Sequence, residues 1–190
     1  CPLIGLVILL LGQSTAAVFI AIPFVFVWDS LAGPALLTVV GDALYALGSD
    51  GDLACVEAAR GKVWWRKNLR ADFAGKPGVW AYAESPLVDG DVVICTPGGA
   101  EATVVALNRK TGDVLWKAAL PEADEAGYAS AIVVEAAGVR QYVQLLQKGL
   151  VGLDAKTGRL LWRFAKTTSR YNANIPSPLF AAGIVYAGSA

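Results

Sequence analysis

Hydrophobic and polar positions along this chain fall into two regimes. Up to Trp28 no side chain is charged, and the runs LIGLVILLLG and AAVFIAIPFVFVW are almost wholly apolar. After Asp29 the apolar residues come in short, strand-length runs broken by glycine, asparagine, aspartate and lysine, the pattern of strands joined by tight turns. No 3.6-residue periodicity follows Asp29, so no helix is predicted there.

The clearest stretch predicts four strands: Ala131–Glu135, Val139–Gln147, Leu150–Asp154 and Arg159–Ala165. Ala136-Ala137-Gly138, Lys148-Gly149 and Ala155–Gly158 separate them. Turns this short join antiparallel neighbours, so the stretch reads as a four-stranded meander. The preceding stretch repeats it as Ser85–Val88, Asp91–Thr96, Thr103–Asn108 and Asp113–Ala119, with Asp89-Gly90 as a hairpin signal. Earlier come Leu37–Val40, Ala43–Gly48, Asp52–Glu57 and Lys62–Asn68. At the end, SPLFAAGIVYAGSA from Ser177 restarts the pattern of SPLVDGDVVICTPG from Ser85.

Three segments align without gaps: CVEAARGKVWW, ALNRKTGDVLW and GLDAKTGRLLW. Gly61, Gly112 and Gly158 coincide, as do Trp65, Trp116 and Trp162, at spacings of 51 and 46 residues. In each, an acidic or amide residue (Glu57, Asn108, Asp154) opens a turn where its oxygen can accept from the backbone. Glycine closes the turn, where a positive φ is expected. The tryptophan ending the next strand needs a large pocket and an acceptor for its indole N–H. A period of roughly 40–50 residues is that of propeller blades. Radial packing of four-stranded sheets leaves only short protected edges. The predicted fold is therefore all-β, a partial β-propeller of four-stranded antiparallel blades. Blades are expected at about 34–79, 80–126 and 127–172, with the next begun at 173–190, after an apolar segment at 1–32.

The three segments resemble the tryptophan-docking repeat of the pyrroloquinoline-quinone (PQQ) type β-propellers, A-x-D-x-x-T-G-x-x-x-W. This family includes quinoprotein alcohol dehydrogenases and outer-membrane assembly factor lipoproteins. Ala106 to Trp116 matches with Asn108 at the Asp position; the third copy keeps Asp154, Thr157, Gly158 and Trp162; the first has Arg60 in place of Thr. The resemblance covers roughly Gly33 to Ala190 and implies that Trp65, Trp116 and Trp162, with Gly61, Gly112 and Gly158, form a structural girdle between blades. Family propellers commonly have eight blades, so this chain is expected to hold only part of a ring.

Composition and charge narrow the chemistry. Sixteen basic residues balance sixteen acidic ones, which argues against a nucleic-acid partner. No histidine is present, so catalysis by Ser-His-Asp or Cys-His is excluded within this segment. Cys1, Cys55 and Cys95 form no CxxC pair, and the latter two sit in apolar runs as expected of core residues. The absence of methionine reads as a processed product or a fragment. The apolar run is longer than the roughly 18 residues that suggest a membrane span. Residues 3–28 read as a signal-anchor giving membrane attachment, as a buried strand pair, or as a fragment end that does not belong to the fold. Against the helix stand Gln13-Ser14-Thr15, Pro23 and the lack of a basic leader.

Quinoprotein dehydrogenases resemble one another in a vicinal Cys-Cys pair, a calcium held by Glu, Asn and Asp, and an Asp base. This sequence has no Cys-Cys and no oxygen cluster at a calcium spacing. No catalytic, cofactor-binding or metal-binding residue is therefore assigned; PQQ and calcium enter only if blades outside the chain supply ligands. Recognition is expected in the segments that precede each first strand. These carry Trp80, Tyr82 and Glu84, then Tyr128, then Asn174, and in a propeller they converge on one mouth. The expected function is a non-catalytic scaffold of the periplasm or cell envelope that binds a protein or peptide. The alternative is a fragment of a PQQ- and calcium-dependent dehydrogenase.

Overall fold

The computed structural model describes residues 36–120, 125–165 and 173–188. The apolar segment, expected at 1–32, lies outside the described residues, including its proposed span at 3–28. Strands β1 (Leu36–Val40), β2 (Ala43–Leu47), β3 (Asp52–Glu57) and β4 (Val63–Asn68) form one antiparallel sheet in chain order. Strands β5 (Leu87–Asp89), β6 (Val92–Cys95), β7 (Val104–Asn108) and β8 (Val114–Ala118) form a second. A third holds β9 (Ile132–Ala136), β10 (Val139–Leu146), β11 (Gly149–Asp154) and β12 (Leu160–Phe164). Strands β13 (Leu179–Ala181) and β14 (Ile184–Tyr186) pair as a hairpin.

The sheets are buried on both faces, and strand alternation divides their side chains between the two neighbours. On β7, Val105 and Leu107 join Tyr45, Leu53 and Cys55 of the first sheet, while Val104 and Ala106 join Tyr142, Leu146 and Val151 of the third. On β10, Val143 and Leu145 pack toward Phe180 and Val185 of the last hairpin. The middle strands consequently read as unbroken apolar runs rather than as alternating ones. First strands approach one another: Thr38 on β1 donates its hydroxyl to the Pro86 carbonyl just before β5, at 2.6 Å. Successive four-stranded sheets packed face to face are the blades of a propeller, here a partial one.

One element departs from the sequence expectation. Residues Leu69–Phe73 form a short helix, α1, directly after β4. Asn68 caps it, its side-chain oxygen accepting from the Arg70 and Ala71 amides, and Ala74 ends it in the left-handed region at φ 49°. Leu69 and Phe73 are buried in the core between the first two sheets. Five residues give too few turns for a helical period to register.

Candidate functional site

The repeated turn is built the same way three times. The amides of Gly61, Gly112 and Gly158 each donate to the carbonyl four residues back, at 2.8 Å, with φ of 68°, 75° and 71°. Asn108 Oδ1 accepts from the amides of Lys110 and Thr111 at 2.9 and 3.3 Å. Asp154 Oδ1 accepts from the amides of Lys156 and Thr157 and from the Thr157 hydroxyl. That Thr157 hydroxyl bond, foremost, holds the Asp154 carboxyl below its usual range. Glu57 differs: its carboxylate meets exposed Arg60 at 3.4 Å.

Two of the three tryptophans reach the turn of the next sheet. Trp65 on β4 donates its indole N–H to the Arg109 carbonyl at 2.9 Å, and Trp116 on β8 does so to Ala155 at 3.2 Å. A β-carbon added to Gly112 would meet the Trp65 ring, and one added to Gly158 would meet the Trp116 ring. Trp162 on β12 instead donates to Gln141 of its own sheet at 2.6 Å.

The segments before the first strands converge, but only some expected residues are presented there. Trp80 packs on Tyr128 with ring centroids 5.6 Å apart, and its amide donates to the Tyr128 hydroxyl at 3.1 Å. The Tyr128 amide donates to the Asn174 carbonyl at 3.1 Å, and the Asn174 side-chain amide donates to the carbonyls of Leu146 and Gln147. Three sheets thus meet through Trp80, Tyr128 and Asn174. Tyr82 and Glu84, each 3% exposed, and Asn174, fully buried, correct the expectation that they share an exposed surface; Tyr128 is buried too, and of the five only Trp80 is exposed. The Tyr82 amide donates to Ser49 in the β2–β3 turn, which directs the ring inward to donate its hydroxyl to the Pro97 carbonyl at 2.9 Å. Glu84 accepts from the amide of Thr96 and, at 2.7 Å, from its hydroxyl. Burial raises the Glu84 carboxyl to about 7, against the lowering effect of those two bonds.

Two arrangements link the sheets without a motif in the sequence to mark them. The Ser85 amide donates to the Ser130 hydroxyl oxygen at 2.9 Å, and the Ser130 amide to that of Ser177 at 3.1 Å. A serine ladder therefore links three sheets beside their first strands. The pair Ser85 and Ser177 was visible in the repeated Ser-Pro-Leu; Ser130 stands in a different context. On the opposite side, Arg140 clamps Asp89 of the preceding sheet at 2.6 and 3.2 Å, and the Tyr142 hydroxyl donates to the same carboxylate at 3.0 Å. A cleft of about 440 Å³ lies there, lined in part by Val92, Asp154 and Lys156.

The described residues do not fit a quinone–calcium centre. Cys55 and Cys95 are free and buried on different sheets, so no vicinal pair exists among them. Both Glu84 oxygens are engaged by Thr96. No three His, Cys, Asp or Glu side chains gather among the described residues, nor is any described helix long and apolar enough to cross a membrane.

The family described as outer membrane protein assembly factor BamB matches residues 25–190, beginning eight residues before Gly33, where the repeats were expected to start. Among curated proteins, a polyvinylalcohol dehydrogenase of Sphingopyxis sp. (strain 113P3) is 26% identical over 152 residues, covering 66% of this chain and 21% of that protein. Among solved structures, BamB from Moraxella catarrhalis superposes with a TM-score of 0.57 at 19% identity, covering 82% of this chain and 42% of that one. A quinohemoprotein alcohol dehydrogenase, ADHIIG, from Pseudomonas putida HK5 gives 0.53 at 21% identity, covering 70% of this chain and 20% of that one. The chain thus spans about a fifth of the curated relative it matches. With the repeated turns, the sheet order and these matches together, the chain belongs to the PQQ-like propeller family of the outer membrane protein assembly factor BamB.

Proposed function

We propose that this segment is a non-catalytic propeller scaffold of the periplasm or cell envelope, binding a protein or peptide through the loops that precede its first strands. The observation that carries this reading is the convergence of Trp80, Tyr128 and Asn174 from three sheets, with Trp80 58% exposed. An exposed aromatic held by a buried one is the composition of an interface anchor. Membership of the outer membrane protein assembly factor family supports the location and a scaffolding role. In this reading Trp65, Trp116 and Trp162 dock blade to blade, the blades run at about 34–79, 80–126 and 127–172, and residues 3–28 attach the protein to a membrane.

A second reading, part of a PQQ- and calcium-dependent dehydrogenase, draws support from the dehydrogenase relative at 26% identity. A titration of the full-length protein with PQQ and calcium, followed by absorbance and dye-linked alcohol oxidation, separates the two. The expected result is no binding at micromolar cofactor. Stoichiometric binding with turnover would replace the scaffold reading.

A further inference from the structure

Resting on the scaffold reading, we infer that Val79 and Trp80 form a preorganised knob that inserts into an apolar pocket of a folded protein partner. The two residues are the corners of a tight turn in which the Ala81 amide returns to the Gly78 carbonyl at 3.0 Å. Ala81 sits at φ 68°, a conformation that disfavours any residue with a β-carbon. The turn is held from both sides. The Trp80 amide is bound by Tyr128 of the third sheet, and the Tyr82 amide by Ser49 of the first. Gly78 is pressed so closely against the Tyr128 hydroxyl and Gln147 that a β-carbon there has no room. The fold thus keeps a disfavoured backbone in order to present two apolar side chains, with Val79 81% exposed.

The shape and surroundings select the occupant. A convex tip offers no groove for an extended peptide to lie in; it needs a concave acceptor. Exposed charges of both signs sit on the segments that hold this turn: Lys76 on the same loop, Asp50 next to Ser49, Glu125 next to Ala126, whose amide donates to the Lys76 carbonyl, and Lys148 next to Gln147. An apolar centre in a rim of mixed charge is the anatomy of a protein interface; an anionic lipid surface would select a basic rim. Rigidity lowers the ordering cost of association, which is how a small anchor gains affinity.

The test places the photocrosslinking residue benzoylphenylalanine at position 79, and separately at the control position 175, in the full-length protein in its native cells. The adduct is identified by mass spectrometry, and affinity for the identified partner is then measured by calorimetry. The expected result is one adduct whose crosslinked site lines an apolar pocket of a folded protein, with Trp80→Ala and Val79→Asp each weakening binding at least tenfold. Val79→Asp alters only the exposed tip, which separates lost binding from lost folding. Adducts with lipid, or with an unstructured peptide, overturn the knob. Unchanged affinity in both variants, or a partner captured only from position 175, overturns the knob and leaves the scaffold reading standing. No adduct from either position overturns both.

Discussion

The indole of Trp65 fills the space that a side chain on Gly112 would need: an added β-carbon would lie 2.9 Å from Cδ2 of that ring. Trp116 stands in the same relation to Gly158, more tightly. Each glycine therefore answers to two demands, a left-handed backbone and a ring from the preceding sheet. Gly90 answers only to the first, with φ 58° and nothing within 4 Å of an added carbon. Gly90→Ala should cost about 1 kcal/mol for backbone strain alone. Gly112→Ala and Gly158→Ala should cost roughly 2–4 kcal/mol, because overpacking is added. Urea melts of the three variants check this; equal losses would mean that the ring yields freely.

Trp65→Ala should destabilise by roughly 3–5 kcal/mol, since the buried ring contacts Tyr45, Gly112 and the Arg109 carbonyl. Trp65→Phe keeps most of the apolar burial and gives up the indole bond, and should cost about 1–2 kcal/mol. Tyr45, which also donates to the Arg109 carbonyl, at 3.3 Å, keeps that acceptor partnered. Denaturant midpoints of the pair separate packing from hydrogen bonding.

Much of the fold was legible because each middle strand is buried on both faces and so stands out as an apolar run between turn residues. The glycine–tryptophan register was legible because both residues answer to strict local geometry. Of the candidate recognition residues, Trp80 alone is exposed. Trp80, Tyr128 and Asn174 meet, but the inward direction of Tyr82 depends on a carbonyl of Ser49, more than thirty residues earlier, and no local pattern encodes it. Helix α1 left one readable trace, the Asn68 cap with Asp72 accepting back from the Asn68 amide at 2.8 Å. The Arg140 clamp had no sequence signal: its reach comes from β10 carrying Val139 and Arg140 ahead of Gln141, which pairs with Asp154.

That clamp carries a pH signature. The hydrogen bond from Arg140, foremost, and that from Tyr142 hold the Asp89 carboxyl below its usual range, although partial burial opposes them. A lowered folded value means that this stabilisation is present above the unfolded value of 3.8 and is lost as the pH falls through the folded one. Asp89→Asn should cost about 1 kcal/mol at neutral pH, modest because the Arg140 head is half exposed and screened. The variant should also lose less stability than the parent on acidification below pH ~4. Guanidinium melts at pH 3 and pH 7 read both effects.

The β9–β10 hairpin invites a stabilising change. Its two turn residues, Ala137 and Gly138, both have positive φ, at 51° and 74°. This is the hairpin geometry that favours Asn-Gly. Ala137→Asn should add about 0.5–1 kcal/mol, since asparagine tolerates the left-handed region better than alanine. A lowered melting temperature would mean that the turn shifts on substitution.

Glu84 should impose the opposite pH slope to Asp89. Its carboxyl is buried and raised from 4.5 to about 7 in the folded chain. The folded state thus holds this proton where the unfolded state has released it. Its contribution is fully present below pH 4.5 and is lost as the pH rises through 7, by roughly 3 kcal/mol. Tyr82 and Cys95, the ionisable neighbours that feel this charge, are themselves raised by burial and stay neutral over the same range. Glu84→Gln removes the titration while keeping an acceptor for the Thr96 amide and a donor for its hydroxyl. Unfolding free energies measured from pH 4.5 to 7.5 should decline in the parent and run flatter in the variant, with the variant the more stable of the two at the upper end. Parallel curves would show that Thr96 and the surrounding dipoles carry the carboxylate without penalty, and that the buried charge is tolerated at neutral pH.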